Sequence, residues 1–385
     1  MNTAAANDAG TQTGNLFAMN PRIERDDGAR AEAELRLQKC RRAFRKLHGL
    51  SPAPEDAVLP PEAGGDLLPW ARRHRVLGLL YAGGEAGESP AWRSAAYGQA
   101  VNSARLAAEA ERLYERLAPS VKNLRLVKGP ALAAQAWPDL GLRAFDDLDW
   151  RCARAAGPAL DAALRDAGYR PEISDDPRRG HYWHFGWGVA YLGPGNIRIE
   201  ANYRSFPPHW PWPVGDDPAD SGVEIRLDHG VVRAPSPAEH LALACGHALW
   251  HGGERLAWIA DIAGLLARNP EAFARAIAAT RGFARRALRV GAGLADALFG
   301  PGLLRSPPAP DAAERMFLEQ LRRGGGVSDA ERRRLHRSLL SPFERVLYVA
   351  RRALTPGDGD FRRRVFAPAL RPLYWLYRPL RAARR

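Results

Sequence analysis

The stretch that most constrains this chain is residues 124–151, LRLVKGPALAAQAWPDLGLRAFDDLDWR. It opens on a short, mostly apolar run that stops at Lys128-Gly129-Pro130. It closes with Asp147 and Asp149 two positions apart, framed by Phe145, Leu148 and Trp150. Side chains alternate faces along a β-strand, so residues two apart point the same way. Two carboxylates on one strand face repel unless something positive lies between them. A hard divalent cation, which takes several oxygens converging from one side, is such a partner. A plain surface pair of aspartates is the alternative, and spacing alone leaves it open.

A chain of 385 residues has room for two or three domains with sizeable cores. Its net charge is +13. Residues 281–385 hold 23 arginines against nine acids, so the basicity belongs to the C-terminal quarter. That suits a phosphate-rich or anionic partner there, or simply solvated helix faces in an arginine-biased chain. Only four lysines (39, 46, 122 and 128) stand against 52 arginines, which singles out Lys128 beside its glycine. Cys40, Cys152 and Cys245 are far apart and lack metal-site spacing, as expected in a reducing cytoplasm. The N-terminus has no signal-peptide pattern, and no window approaches the roughly 20 apolar residues of a spanning helix. The expectation is a cytoplasmic chain, at most peripheral to a membrane.

The pattern divides the chain into a disordered lead (1–28), an N-terminal helical region (29–118), a small α/β sheet domain (119–234) and a basic helical C-terminal domain (235–385). In the first helical region, periodicity predicts helices at 29–50, 67–83 and 90–117, with a proline-rich link at 51–61. Strands are expected at 124–128 and 148–152, each followed by a helix. Residues 181–192 and 196–203 read as a hairpin turning at Gly193-Pro194-Gly195, and 223–232 as another. A proline-rich loop, 206–218, carries Trp210 and Trp212, expected as anchors. From Pro235 onward the pattern is helical to the end. The fold class is α+β: a small mixed sheet flanked by helices on both sides in sequence.

Glu200, in the alternating run IRIEAN, supplies a third acid that a neighbouring strand can aim at Asp147 and Asp149. Three carboxylates can hold Mg2+ or Mn2+, which neutralises a triphosphate and acidifies an attacking hydroxyl. The corner at Lys128-Gly129 suits a phosphate, since glycine admits backbone N–H groups and the next helix presents its positive end. Arg143 is placed to clamp phosphate oxygens or to pair with Asp146. His247 and His251 are four apart, but HALWH lacks the glutamate of a zinc-protease motif. With Glu254, Trp258 and Asp261 they make a polar stripe, continuous only if Gly252-Gly253 does not break the helix. The stripe reads as packing against the sheet, with a wall of the nucleotide or acceptor site as the alternative. His181, His184, Trp183, Phe185 and Trp187 read as half-buried strand aromatics, with base or acceptor stacking as the alternative. In the tail, Leu373, Trp375, Leu376 and Leu380 among arginines suit docking on the helical half or, less well, contact with lipid headgroups.

The order VKGPAL, a Trp-Pro-Asp step, then GLRAFDDLDW resembles the uncharacterised nucleotidyltransferase family of bacteria, a branch of the DNA polymerase β-like superfamily. The likeness extends to Trp70–Val76 and Leu79-Leu80-Tyr81, to IRIEANYR, to Glu239-His240, His247, His251 and residues 255–261, and to the tail at 355–356, 374–375 and 378–381. It implies a metal-dependent transfer of a nucleotidyl group from an NTP such as ATP to an acceptor hydroxyl or phosphate. Asp147, Asp149 and Glu200 would be the catalytic metal ligands, and Lys128, Gly129 and Arg143 the nucleotide-binding residues. The acceptor (RNA, a phosphorylated metabolite or a peptide) is left open. The rival reading is a non-catalytic basic module for nucleic acid or other anions on a degenerate version of the same fold; a metal-dependent phosphohydrolase is a third. Two departures stand out. Pro130 replaces the serine of the superfamily's Gly-Ser and supplies no N–H. Asn202 stands where the family usually has histidine.

Overall fold

The computed structural model describes residues 21–53, 67–86, 89–172, 179–212, 222–300, 302–304, 309–323, 326–361 and 363–383. Most of the predicted lead, most of the proline-rich link and the end of the 206–218 loop lie outside them.

Four helices precede the sheet: α1 (Pro21–Leu47), α2 (Leu67–His74), α3 (Leu77–Gly83) and α4 (Pro90–Leu117). The single helix predicted at 67–83 is therefore two. Arg75, with φ 57°, leaves helical geometry between them, and its guanidinium pairs with Asp146. α4 begins at Ser89, whose hydroxyl accepts the N–H of Trp92 while Pro90 opens the first turn.

Strands β1 (Arg125–Val127), β2 (Asp147–Arg151), β3 (Arg170–Pro171), β4 (Gly188–Leu192) and β5 (Arg198–Asn202) form one mixed sheet in the order β1-β2-β5-β4-β3. β2 and β5 run parallel and the other pairs antiparallel. Helix α5 (Gly129–Ala136) follows β1, and α6 (Gly157–Asp166) follows β2. The predicted hairpin forms, with β4 and β5 paired antiparallel on either side of Gly193-Pro194-Gly195, but the first half of its first strand is not extended. Residues Arg179–Phe185 form a short helix, α7, before β4 begins. There His181 is buried against Phe361 and Tyr374, and its Nε2 lies 3.0 Å from the Phe366 carbonyl. Tertiary contacts to the tail thus override the β-propensity of this aromatic run.

One face of the sheet is closed. Leu126, Leu148, Trp150, Val189, Tyr191, Ile199 and Ala201 are all buried there. α4 and α6 cover it, with Tyr114 stacked on Trp150 and the Tyr191 hydroxyl donating to Asp161 at 2.6 Å. A separate ribbon, β6 (Val223–Arg226) with β7 (Val231–Ala234), packs beside β1.

The rest is helical, as expected: α8 (Pro237–Trp250), α9 (Leu256–Arg268), α10 (Ala272–Ala279), α11 (Gly282–Phe299), α12 (Ala312–Arg323), α13 (Asp329–Ser338), α14 (Pro342–Leu354), α15 (Asp358–Phe361) and α16 (Tyr374–Ala383). α13 and α14 both start with a capping box, Ser328 with Glu331 and Ser341 with Glu344. One continuous apolar core runs from Leu37 in α1 through the sheet to Tyr348 in α14. Trp210 anchors its loop inside that core, edge-on to Trp250 and Phe283.

The tail docks through Tyr374, which is buried against Phe185 and Phe361. Fully buried Asp360 receives Arg378 at 2.6 Å and Arg381 at 2.7 Å. Leu373, Trp375, Leu376 and Leu380 remain exposed. Among the described residues no helix is long and apolar enough to cross a membrane.

Candidate active site

The parallel register of β2 and β5 sets Asp147 beside Arg198 and Asp149 beside Glu200. Partners in register point to the same side, so all three acids share the face opposite the closed core. Asp149 is almost fully buried, and Asp147 and Glu200 are partly so. Burial pushes the Asp147 carboxyl above the ordinary carboxylate range, and the charge of Asp149 adds to it. Burial also raises Asp149, against the pull of Lys128 and with the push of Glu200. The acids thus lack full compensation as they stand.

Lys128 supplies part of it. Val127 is in register with Asp149, so a regular strand would carry the next side chain to the other face. Lys128 instead has φ 64° and ψ −157°, a region that is close to glycine-only. The chain leaves the pleat, and the Lys128 ammonium reaches Asp149 Oδ1 at 2.8 Å. Burial alone would depress its pKa. Asp149, with Glu200 and Asp147 beyond, instead holds it protonated and above the usual lysine value. Gly129, at φ 46°, continues the turn into α5, a conformation that costs glycine little. Pro130 sits in the first turn of that helix, where its ring suits the helix start and its missing N–H leaves no intrahelical bond unmade.

His240, on α8, holds this corner from the other side. Its Nε2 accepts the Lys128 N–H at 3.1 Å, and its Nδ1 lies 2.9 Å from Gln135 Oε1. A ring that accepts at Nε2 must donate from Nδ1, so the imidazole is neutral with the proton on Nδ1. Burial, reinforced by Arg143, lowers its pKa to about 3, consistent with that tautomer.

Arg143 pairs with Asp261 rather than Asp146. Its Nε and Nη2 donate to the two carboxylate oxygens at 2.7 and 2.8 Å, and Trp137 Nε1 donates to Asp261 as well, at 2.7 Å. Asp146 is taken by Arg75. Asn202, in the place of the family's histidine, turns its amide nitrogen toward Asp149 Oδ1 at 3.4 Å.

The polar stripe is broken as a helix but kept as a cluster. α8 ends at Trp250, and Gly252 and Gly253 (φ 74° and 71°) turn the chain before α9 begins. The turn folds Trp258 back onto His247 and His251, with ring centroids 5.0 and 4.8 Å apart. Burial lowers the pKa of both histidines, to about 3 for His251, with the Lys128 charge adding to the effect. Both are neutral at pH 7.

These groups enclose a cleft of about 330 Å³. Lys128, Gly129, Arg143, Asp147, Asp149 and Glu200 all line it, so six residues spread over 73 positions meet in one place. His247, His251, Glu254 and Trp258 line it too, so the stripe read as packing forms a wall of the cleft. Arg75 and Arg255 add cations that local sequence did not single out, and His240 stands behind Lys128. The family likeness takes in all three positions, but no local spacing ties them to the acids, from which each is distant in sequence. A second, larger cavity of about 720 Å³ adjoins the cleft, and Trp187, Glu200, Pro207 and Trp250 line both.

Among the described residues no three His, Cys, Asp or Glu side chains are gathered as a ready metal site. The Lys128 ammonium occupies the position on Asp149 that a cation would share. The donor set still fits a divalent ion such as Mg2+: it is all oxygen, lies on one sheet face, and includes two carboxylates raised by burial and mutual repulsion.

Residues 61–300 match a family described as "Uncharacterised nucleotidyltransferase". The tail likeness at 355–381 lies beyond the matched span. No curated protein and no solved structure matches the chain.

Proposed function

The chain belongs to the uncharacterised nucleotidyltransferase family, and from that premise we propose that it moves a nucleotidyl group from an NTP to an acceptor hydroxyl or phosphate in a Mg2+- or Mn2+-dependent reaction. The observation that carries the reading is the register of Asp149 beside Glu200, with Asp147 on the same face and Lys128-Gly129 at the mouth of the cleft.

Asp147, Asp149 and Glu200 would hold the metal, which when bound neutralises triphosphate charge and acidifies the acceptor hydroxyl. Lys128 and the N–H groups from Gly129 onward hold phosphate oxygens at the start of α5, where the helix end is positive. Arg143, braced by Asp261, adds a fixed positive charge beneath them. Arg75 and Arg255 line the same cleft and extend the cationic surface. Glu200, open to both cavities, takes the proton of an acceptor hydroxyl. As the acceptor oxygen bonds to the α-phosphorus, the bridging α–β P–O bond breaks, and pyrophosphate leaves with its electron pair. In this reading Lys128 moves from Asp149 to the incoming phosphates, exchanging one anionic partner for another.

The test is a thermal-shift screen of the four NTPs with Mg2+, wild type against Asp149→Ala, followed by pyrophosphate release with the best nucleotide. Stabilisation by at least one Mg·NTP, lost in the variant, is expected. A wild-type protein indifferent to every Mg·NTP would instead support the non-catalytic anion-binding module, in which Lys128 is the permanent counter-ion of Asp149.

A further inference from the structure

We infer that the 720 Å³ cavity is the acceptor site, and that the acceptor is a small amphipathic molecule: an aromatic or apolar body, an anionic group, and the hydroxyl or phosphate that receives the nucleotide. This rests on the transferase reading above and assigns its missing substrate class.

The position follows from the sheet. Asp149, Glu200 and Ala190 are consecutive partners across β2, β5 and β4, so they form one row on the open face. That row is a continuous floor from the acid cleft into the second cavity, and Glu200 belongs to both. A group bound over Ala190 is therefore a strand away from the acids. The small side chain of Ala190 leaves that floor low.

Size and chemistry narrow the class. The volume is that of a small-molecule site, which runs from about 300 to 1,000 Å³. One wall is apolar and aromatic, from Phe185, Trp187, Tyr348 and Phe361. The other is cationic: five arginines line the cavity against three carboxylates. Three of the five are engaged, Arg198 with Glu172, Arg378 with Asp360, and Arg332 with Asp329 and more distantly Glu254. Arg333 and Arg352 have no carboxylate partner among the described residues, and Arg352 reaches only the Tyr348 hydroxyl, at 3.3 Å. Both line the second cavity but not the acid cleft. An acceptor with its anion on these arginines and its body on the aromatic wall would direct its other end to Glu200. A cavity lined this way suits a compact ligand better than a polynucleotide, which wants an open groove following its backbone.

The test uses 8-anilino-1-naphthalenesulfonate, an aromatic anion, titrated calorimetrically into the full chain without nucleotide. Wild type should bind it. Ala190→Trp, which fills the floor, should abolish that binding, and Arg333→Ala/Arg352→Ala should weaken it about tenfold, within the range for two exposed ionic contacts. Thermal shifts with Mg·NTP, measured on the same three proteins, separate the two proposals. If the probe fails to bind wild type, or binds both variants as it does wild type, the acceptor inference is wrong whatever the nucleotide does. If the probe behaves as expected but no Mg·NTP shifts wild type, the cavity takes amphipathic anions and the transferase reading fails.

Discussion

The backbone N–H of Lys128 donates to Nε2 of His240 across 3.1 Å, tying the corner beside the acids to a helix 112 residues away. This bond helps hold a lysine in backbone geometry that glycine normally occupies, and that geometry puts the ammonium on Asp149. His240→Ala leaves the Lys128 N–H without its acceptor. A loss of about 1–3 kcal/mol in urea unfolding is expected, the usual cost of an orphaned buried donor.

Lys128→Gly and Lys128→Ala both remove the charge, but only glycine relieves the backbone. Both should lose nucleotide binding, while the glycine variant should be the more stable by about 1–2 kcal/mol. Equal unfolding midpoints would show that the positive φ at Lys128 carries no strain.

Asp147→Asn removes one of two raised, mutually repelling carboxyls. Pyrophosphate release should fall to background, while thermal stability stays unchanged or rises, since no ion pair is broken. Asp149→Asn should also inactivate but should destabilise, because it removes the partner of Lys128.

Asp261 is the buried acceptor for Arg143 and Trp137 together. Asp261→Ala leaves a buried guanidinium unpaired, and about 3–5 kcal/mol of stability should disappear in denaturant titration. A variant within 1 kcal/mol of wild type, on the scale of an exposed ion pair, would mean that Arg143 finds water or another acid.

Acid should destabilise the fold before the carboxylates of the unfolded chain titrate. His240 and His251 are lowered to about 3 and His336 to about 4, all chiefly by burial. Below about pH 6.5 the unfolded chain binds protons that the folded chain refuses, so stability is full above that value and falls toward the folded pKa values. Asp147 and Asp149, shifted upward, and Glu314, raised by burial to about 7, oppose the trend but are outnumbered by the buried histidines. The urea midpoint should decline steadily from pH 7 to about 4.5, with a shallower slope in His251→Gln; a flat profile would contradict the buried neutral histidines.

Much of the site was legible locally. Asp147 and Asp149 alternate with Leu148 and Trp150, so the pleat alone predicts which side each takes. Glycine after lysine, followed by proline, marks a strand-to-helix corner. The helical C-terminal half is written in its periodicity and its Ser-x-x-Glu caps. The misreadings were non-local. Helix α7 replaces the first half of one hairpin strand because Tyr374 and Phe361, far along the chain, cover it. The helix expected at 67–83 breaks at Arg75, whose partner Asp146 is 71 residues on.

The sequence by itself therefore determined the acids, the corner and the family, because strand alternation and turn chemistry act over a few residues. Only the tertiary structure decided that Asp149 faces Glu200, that Lys128 bends back to reach it, and that Arg143 belongs to Asp261. Those choices depend on which strand lies beside which and on which buried charge finds an opposite one. Both are settled by packing many residues at once, because a buried charge left unpaired costs more than any local preference can offset.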